Sequence, residues 1–213
     1  NMTNDLKAAM DEAERLFYHC EIPGNVERAE AQLSALLDRT HDPAELATIH
    51  GELAQSQFLR FEMAPAGERL SIAEKGVEIA KKALAFDSDN IQANAWAAAL
   101  MGIHGLEMGI LASLFYLGDI RARAEKLLTL DETYHNATAH QILGNLYRLA
   151  PPKPIGMRDY AKSLLHLARA RELAPLCPVA KLSRAELYLT LRKPERARAE
   201  LMIVLTEHIE ERG

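Results

Sequence analysis

The side chains able to do chemistry are eight histidines, two cysteines, one tryptophan and 30 carboxylates, and their spacing forms no familiar reactive arrangement. No nucleophile elbow, phosphate-cradling glycine loop, HExxH zinc pair or close cysteine pair occurs. His135 and His140 are five positions apart, so on a helix they point to different sides and make a poor metal pair. His104 lies in an apolar stretch and reads first as a satisfied core histidine, second as a buried ligand contact or switch. Trp96 reads first as a packing residue and second as a pocket wall. Glu107 is the one carboxylate isolated among apolar neighbours. It is a candidate acid of raised pKa, although a first-turn position or a partner arginine accounts for it equally well. Cys20 and Cys177 match no metal or redox spacing and read as reduced packing residues. The expectation is a non-enzymatic chain without metal or cofactor.

Composition narrows the classes further. A formal charge of −5 and a pI near 5.9 give no basic surplus. The short basic clusters Arg121–Arg123 and Arg192–Arg198 have acids among or near them, which reads as solvated helix faces and argues against nucleic acid as a partner. The stretch from Ile91 to Gly118 carries only Glu107 as a charge and could pass for a membrane span. Asn94, His104 and several glycines interrupt it, with Gly105 or Gly109 able to split it into two helices, so it reads as a buried centre. No leader is visible at Asn1–Lys7, so the expected location is cytoplasmic, or periplasmic if a leader has been removed.

The elements that must position these residues are helices. Alanine and leucine far outnumber valine, isoleucine and threonine, and no hairpin turn or long alternating run appears. Asp42-Pro43 and Asn90 are good helix starts. Breaks at Pro23-Gly24, Pro65-Ala66-Gly67 and Asp87–Asn90, and the proline-rich turn Pro151–Gly156, divide the chain into about ten helices. These form five antiparallel pairs, at roughly 5–40, 42–86, 90–130, 135–174 and 178–212, within a single domain over 1–213.

The clearest repeat lies near the C-terminus. Ala170, Pro175, Ala185, Tyr188, Ala197 and Leu201 fall in one unbroken register, and Leu143, Gly144 and Tyr147 begin the preceding unit. Small residues let two helices approach, and large ones fill the next layer. This pattern resembles the tetratricopeptide repeat (TPR), a helix pair of about 34 residues that must stack to cover its apolar face. With Trp96, Gly156 and Ala161, the stretch from Asp87 to Leu205 is similar to the TatT-like proteins associated with TRAP transporters and to the regulators of microtubule dynamics.

The resemblance implies an all-α, right-handed superhelix whose first helices line a concave groove that binds a protein or peptide. By register that groove holds Thr138, Gln141, Asn145, Arg148 and Leu149 in the fourth pair and Leu182, Glu186 and Leu189 in the fifth. By looser alignment it also takes Glu52 and Gln55, and His104 is carried as a further contact. Only Asn145 fits the two-carboxylate clamp known for chaperone C-termini, so that partner class is disfavoured. The expected function is a non-catalytic interaction scaffold. The alternative is a TatT-like accessory that binds a solute-binding protein or a small ligand. The Pro151–Gly156 turn reads as a surface loop or a functional insertion.

Overall fold

The computed structural model describes residues 4–210, and among these there is no strand. The helices are α1 (Asn4–Tyr18), α2 (Asn25–Leu37), α3 (Pro43–Met63), α4 (Ala66–Phe86), α5 (Ile91–Met108), the short α6 (Ile110–Ser113) with a 3-10 turn at Leu114–Tyr116, α7 (Leu117–Leu130), α8 (Tyr134–Leu149), α9 (Tyr160–Leu173), α10 (Pro178–Thr190) and α11 (Pro194–Glu210). The sequence reading treats 1–213 as one domain. The chain groups into two compact units, Asn1–Tyr116 and Leu117–Gly213, and the third expected pair straddles their boundary.

Local chemistry sets the helix ends. Asp42 Oδ1 accepts hydrogen bonds from the backbone N–H groups of Ala44 (2.8 Å) and Glu45 (3.2 Å), while Pro43 occupies the first turn. Asn90 caps α5 through Ala93 N–H at 2.9 Å and donates its amide to Thr48 Oγ1 at 2.8 Å, joining α5 to α3. Gly109, at φ 97°, ends α5 in a conformation that side-chain-bearing residues rarely adopt. The second helix of the pair expected over 90–130 is divided into α6, the 3-10 turn and α7.

In the first unit α3 packs on α2, α4 and α5, and Leu16, Leu33 and Ile49 sit in a core shared by α1, α2 and α3. In the second unit α8 packs on α7, α9 and α10, and α10 packs on α11. The small-residue positions lie inside, with Ala170, Ala185 and Ala197 buried. Gly144 is the tightest of these approaches in the second unit. A Cβ there would stand 2.6 Å from Leu167, and Ser163 Oγ donates to its carbonyl at 2.7 Å.

The Pro151–Gly156 turn is exposed but braced. Arg158 N–H bonds Pro151 O at 3.1 Å and Asp159 N–H bonds Tyr147 O at 2.9 Å. The first turn of α8 is left-handed at His135, Asn136 and Ala137. His135 and His140 therefore do not share a regular helix, and their relation cannot be read from a five-residue helical spacing. No helix among the described residues is long and apolar enough to cross a membrane.

Candidate partner-docking surface

Four of the residues expected to line the groove meet across α8 and α10. Gln141, Asn145 and Arg148 follow one another along α8 at helical spacing. Asn145 Nδ2 donates to Gln141 O at 3.1 Å, and Arg148 Nη2 donates to Asn145 Oδ1 at 3.0 Å. The same guanidinium crosses to α10 and pairs with Glu186 at 2.7 Å. Gln141 also reaches Asn136 O at 2.6 Å and the Cys177 sulfur at 3.7 Å. Thus four residues chosen from register are brought together by α8 and α10. Leu149, Leu182 and Leu189, on the same two helices, are all exposed.

Arg148 is fixed while its apolar neighbours on α8 and α10 are open. Its side chain is only 14% exposed, whereas that of Glu186 is 60% exposed. The wall thus offers a preset cation whose current carboxylate partner sits at the surface and is readily exchanged. The exposed leucines supply apolar area without further ordering.

The first unit departs from the sequence reading. Glu52 and Gln55 are buried, at 8% and 5% exposure, and so do not line an open groove. α1 and α2 cover part of α3, and the loose alignment in this region hid that fact. Among the described residues Glu52 Oε2 has no hydrogen-bond partner. Burial, with a smaller push from Glu14, raises its carboxyl to about 8. Glu107 is the opposite case, since it is exposed and its carboxyl meets water. The apolar stretch is buried over most of 93–105, but Leu106, Ile110, Leu111 and Phe115 near Glu107 are exposed, so Glu107 is not a buried acid. His104 is buried, with Nδ1 2.9 Å from Tyr116 OH, and burial lowers its pKa. Trp96 is buried against Phe58, with ring centroids 5.5 Å apart.

Two polar networks escape sequence reading because their members lie far apart in the chain. Glu30 of α2 accepts from Ser56 Oγ at 2.8 Å, Gln57 Nε2 at 2.9 Å and Arg60 Nε at 2.7 Å, all on α3. Burial alone would raise this carboxyl, but the donors from Arg60 and Ser56 outweigh it and hold the acid below its usual range. The signal available was a run of polar residues, Ser56, Gln57 and Arg60, on one side of a core helix.

The second network joins α8, α9 and the turn before α8. His140 Nε2 lies 3.0 Å from Glu132, and its Nδ1 lies 2.9 Å from His166 Nδ1, so one ring donates and the other accepts. Arg169 clasps the same Glu132 at 2.9 Å and 3.2 Å. Arg169, then His140, draws the Glu132 carboxyl down to about 2. Burial, then His140 and Lys162, lowers the His166 imidazole. Both ring nitrogens of His140 are engaged by protein groups. No cluster of three or more metal-ligating side chains occurs among the described residues.

With this geometry in view, the chain can be set beside known structures. It resembles TTC0263, a thermophilic TPR protein of Thermus thermophilus, with a TM-score of 0.68 at 18% identity over 92% of this chain and 90% of that one. The fold is of the tetratricopeptide repeat type. MamA from Desulfovibrio magneticus RS-1 superposes over the full length of both chains with a TM-score of 0.59 at 14% identity. A further MamA crystal structure gives 0.56 at 13% identity over 88% and 91%. No protein-family model matches the chain, and no curated protein matches it in sequence.

Proposed function

We propose that this chain is a non-catalytic docking module whose α8–α10 face holds an extended segment of another protein. The observation that carries this reading is the fixed Arg148, held by Asn145 and an exposed Glu186, on helices that also expose Leu149, Leu182 and Leu189. A rigid charged anchor beside solvent-facing leucines is the arrangement that binds with little ordering cost. TPR-type neighbours support protein as the partner class. The alternative reading is a TatT-like accessory role, in which the chain holds a solute-binding protein or a small ligand.

The test is quantitative affinity capture from lysate of the native organism with the wild-type chain and with Asn145→Ala/Arg148→Glu. Proteins captured by the wild type and lost with the double variant, which must retain its helical circular dichroism, support the assignment. Capture that is indifferent to the double variant and to Leu182→Ser/Leu189→Ser refutes it.

A further inference from the structure

A second surface of the same unit has a different chemistry. Lys181, Arg184 and Tyr188 lie on one side of α10, away from the side that carries Leu182, Glu186 and Leu189. Arg171 of α9 and Glu207 of α11 join Lys181 and Arg184 around an open cavity of about 320 Å³.

Arg171 Nη1 lies 3.3 Å from Glu200 Oε1, and Arg184 Nη2 lies 3.1 Å from the same oxygen. Two guanidinium groups thus share one carboxylate, and that carboxylate is buried behind them. Lys181, only 1% exposed, is held by Pro175 O and by the carboxylate of Glu207. Glu172 also borders the cavity but turns to Arg169, 3.2 Å away, as its ion-pair partner. Arg171, Lys181 and Arg184 therefore share Glu200 and Glu207, while Glu172 at the rim pairs with Arg169.

A guanidinium has five N–H groups. Among the described residues Arg171 uses only Nη1, and the buried Arg184 Nε has no acceptor. One further carboxylate would accept hydrogens from the part-exposed Arg171 guanidinium, with the bidentate geometry that arginine favours.

We infer that this cavity is a receptor for an acidic side chain, aspartate or glutamate, of a partner protein, and that Glu207 occupies part of it when no partner is bound. Arg171 forms the outer contact, being about one-third exposed. Arg184 and Lys181 form the floor. Glu207 competes from within, because its carboxylate sits on the lysine that an incoming acid would also approach. This surface is independent of the α8–α10 docking face and could fail or hold without it.

The test uses the full chain and a fluorescein-labelled peptide of alternating glutamate and serine, amidated at its C-terminus, with a glutamine-for-glutamate peptide as control. Fluorescence anisotropy is read at low and raised salt. The expected result is saturable binding of the glutamate peptide alone, weakened about tenfold by Arg171→Gln and strengthened by Glu207→Gln, with a salt dependence that reflects exposed charge. Arg148→Glu should leave this binding intact, which separates the outcome from that for the docking face. The inference is overturned if neither the wild type nor Glu207→Gln binds the glutamate peptide. It is equally overturned if Arg171→Gln leaves the affinity unchanged, or if binding requires a free C-terminal carboxylate.

Discussion

Replacing Glu52 by glutamine should make the first unit more stable at neutral pH and abolish part of its pH dependence. Glu52 is 8% exposed, one of its oxygens has no partner among the described residues, and its carboxyl is raised from 4.5 to about 8. Below pH 4.5 the acid is neutral in both the folded and unfolded chain, so it introduces no pH dependence. As pH rises from 4.5 to 8, the unfolded chain gives up this proton while the folded chain keeps it, and folding stability falls by about 1.4 kcal/mol per pH unit. The accumulated loss is roughly 3 kcal/mol at pH 7 and roughly 4 kcal/mol at pH 8, a large share of the ~5–15 kcal/mol typical of a domain. Glutamine keeps the shape and cannot ionise. The chain's one tryptophan, Trp96, packs against Phe58 of α3 and so reports on this unit alone. Urea titrations followed by its fluorescence at pH 5, 6, 7 and 8 should show a gap of under about 1 kcal/mol at pH 5 and the variant pulling further ahead with each step. Taking the difference between the two proteins removes the parallel titrations of Glu30 and His104. Parallel curves for the two proteins, or a variant less stable at pH 8, would mean that the Glu52 carboxylate is solvated or paired, and the reasoning would fall.

Four further outcomes follow from packing, a cap and burial. Gly144→Ala should destabilise the second unit by about 1–2 kcal/mol, because overpacking against Leu167 outweighs the gain in helix propensity. Gly102→Ala, where a Cβ meets nothing within 4 Å, should instead stabilise its helix by up to about 1 kcal/mol; both are read by thermal denaturation. Asp42→Ala removes the cap of α3 and should cost about 1 kcal/mol in the Trp96-reported transition, with Asp42→Asn close to wild type. His166, lowered by burial, should titrate below 6.5 in a histidine NMR series. The unfolded chain takes up that proton first as pH falls through 6.5, so stability declines in this window, and a midpoint at or above 6.5 would contradict the described geometry.

The helix-pair architecture was legible because it depends on residue size at close contacts. Gly144, Ala170, Ala185 and Ala197 read as contact positions from the chain alone, and each is buried. The caps at Asp42 and Asn90 were legible for a similar reason, since a helix start is decided within three or four residues. The α7 boundary was not. Gly109 takes a left-handed conformation, and the chain spends seven residues in α6 and the 3-10 turn before a regular helix resumes. Sequence shows that a glycine can break a helix, but not where the next one regains its packing.

Burial of charge was the harder inference, and the two glutamates show why. Glu107 sits in the most apolar run of the chain and is exposed, because an apolar sequence neighbour covers a side chain only if it is itself turned inward, and Leu106, Ile110, Leu111 and Phe115 are turned outward. Glu52 sits among polar letters, with Gln55, Ser56 and Gln57 close by, and is buried, because α3 is packed on several sides by other helices. Ser56 and Gln57 find their partner, Glu30, on α2, 26 and 27 positions back in sequence, whereas Glu52 finds none. The face of α8 was readable because Leu143, Gly144 and Tyr147 set its register, and Asn145, Arg148 and Glu186 meet across two helices. The cluster of Arg171, Arg184, Glu200 and Glu207 was not, since these residues belong to three different helices and meet only once those helices have packed.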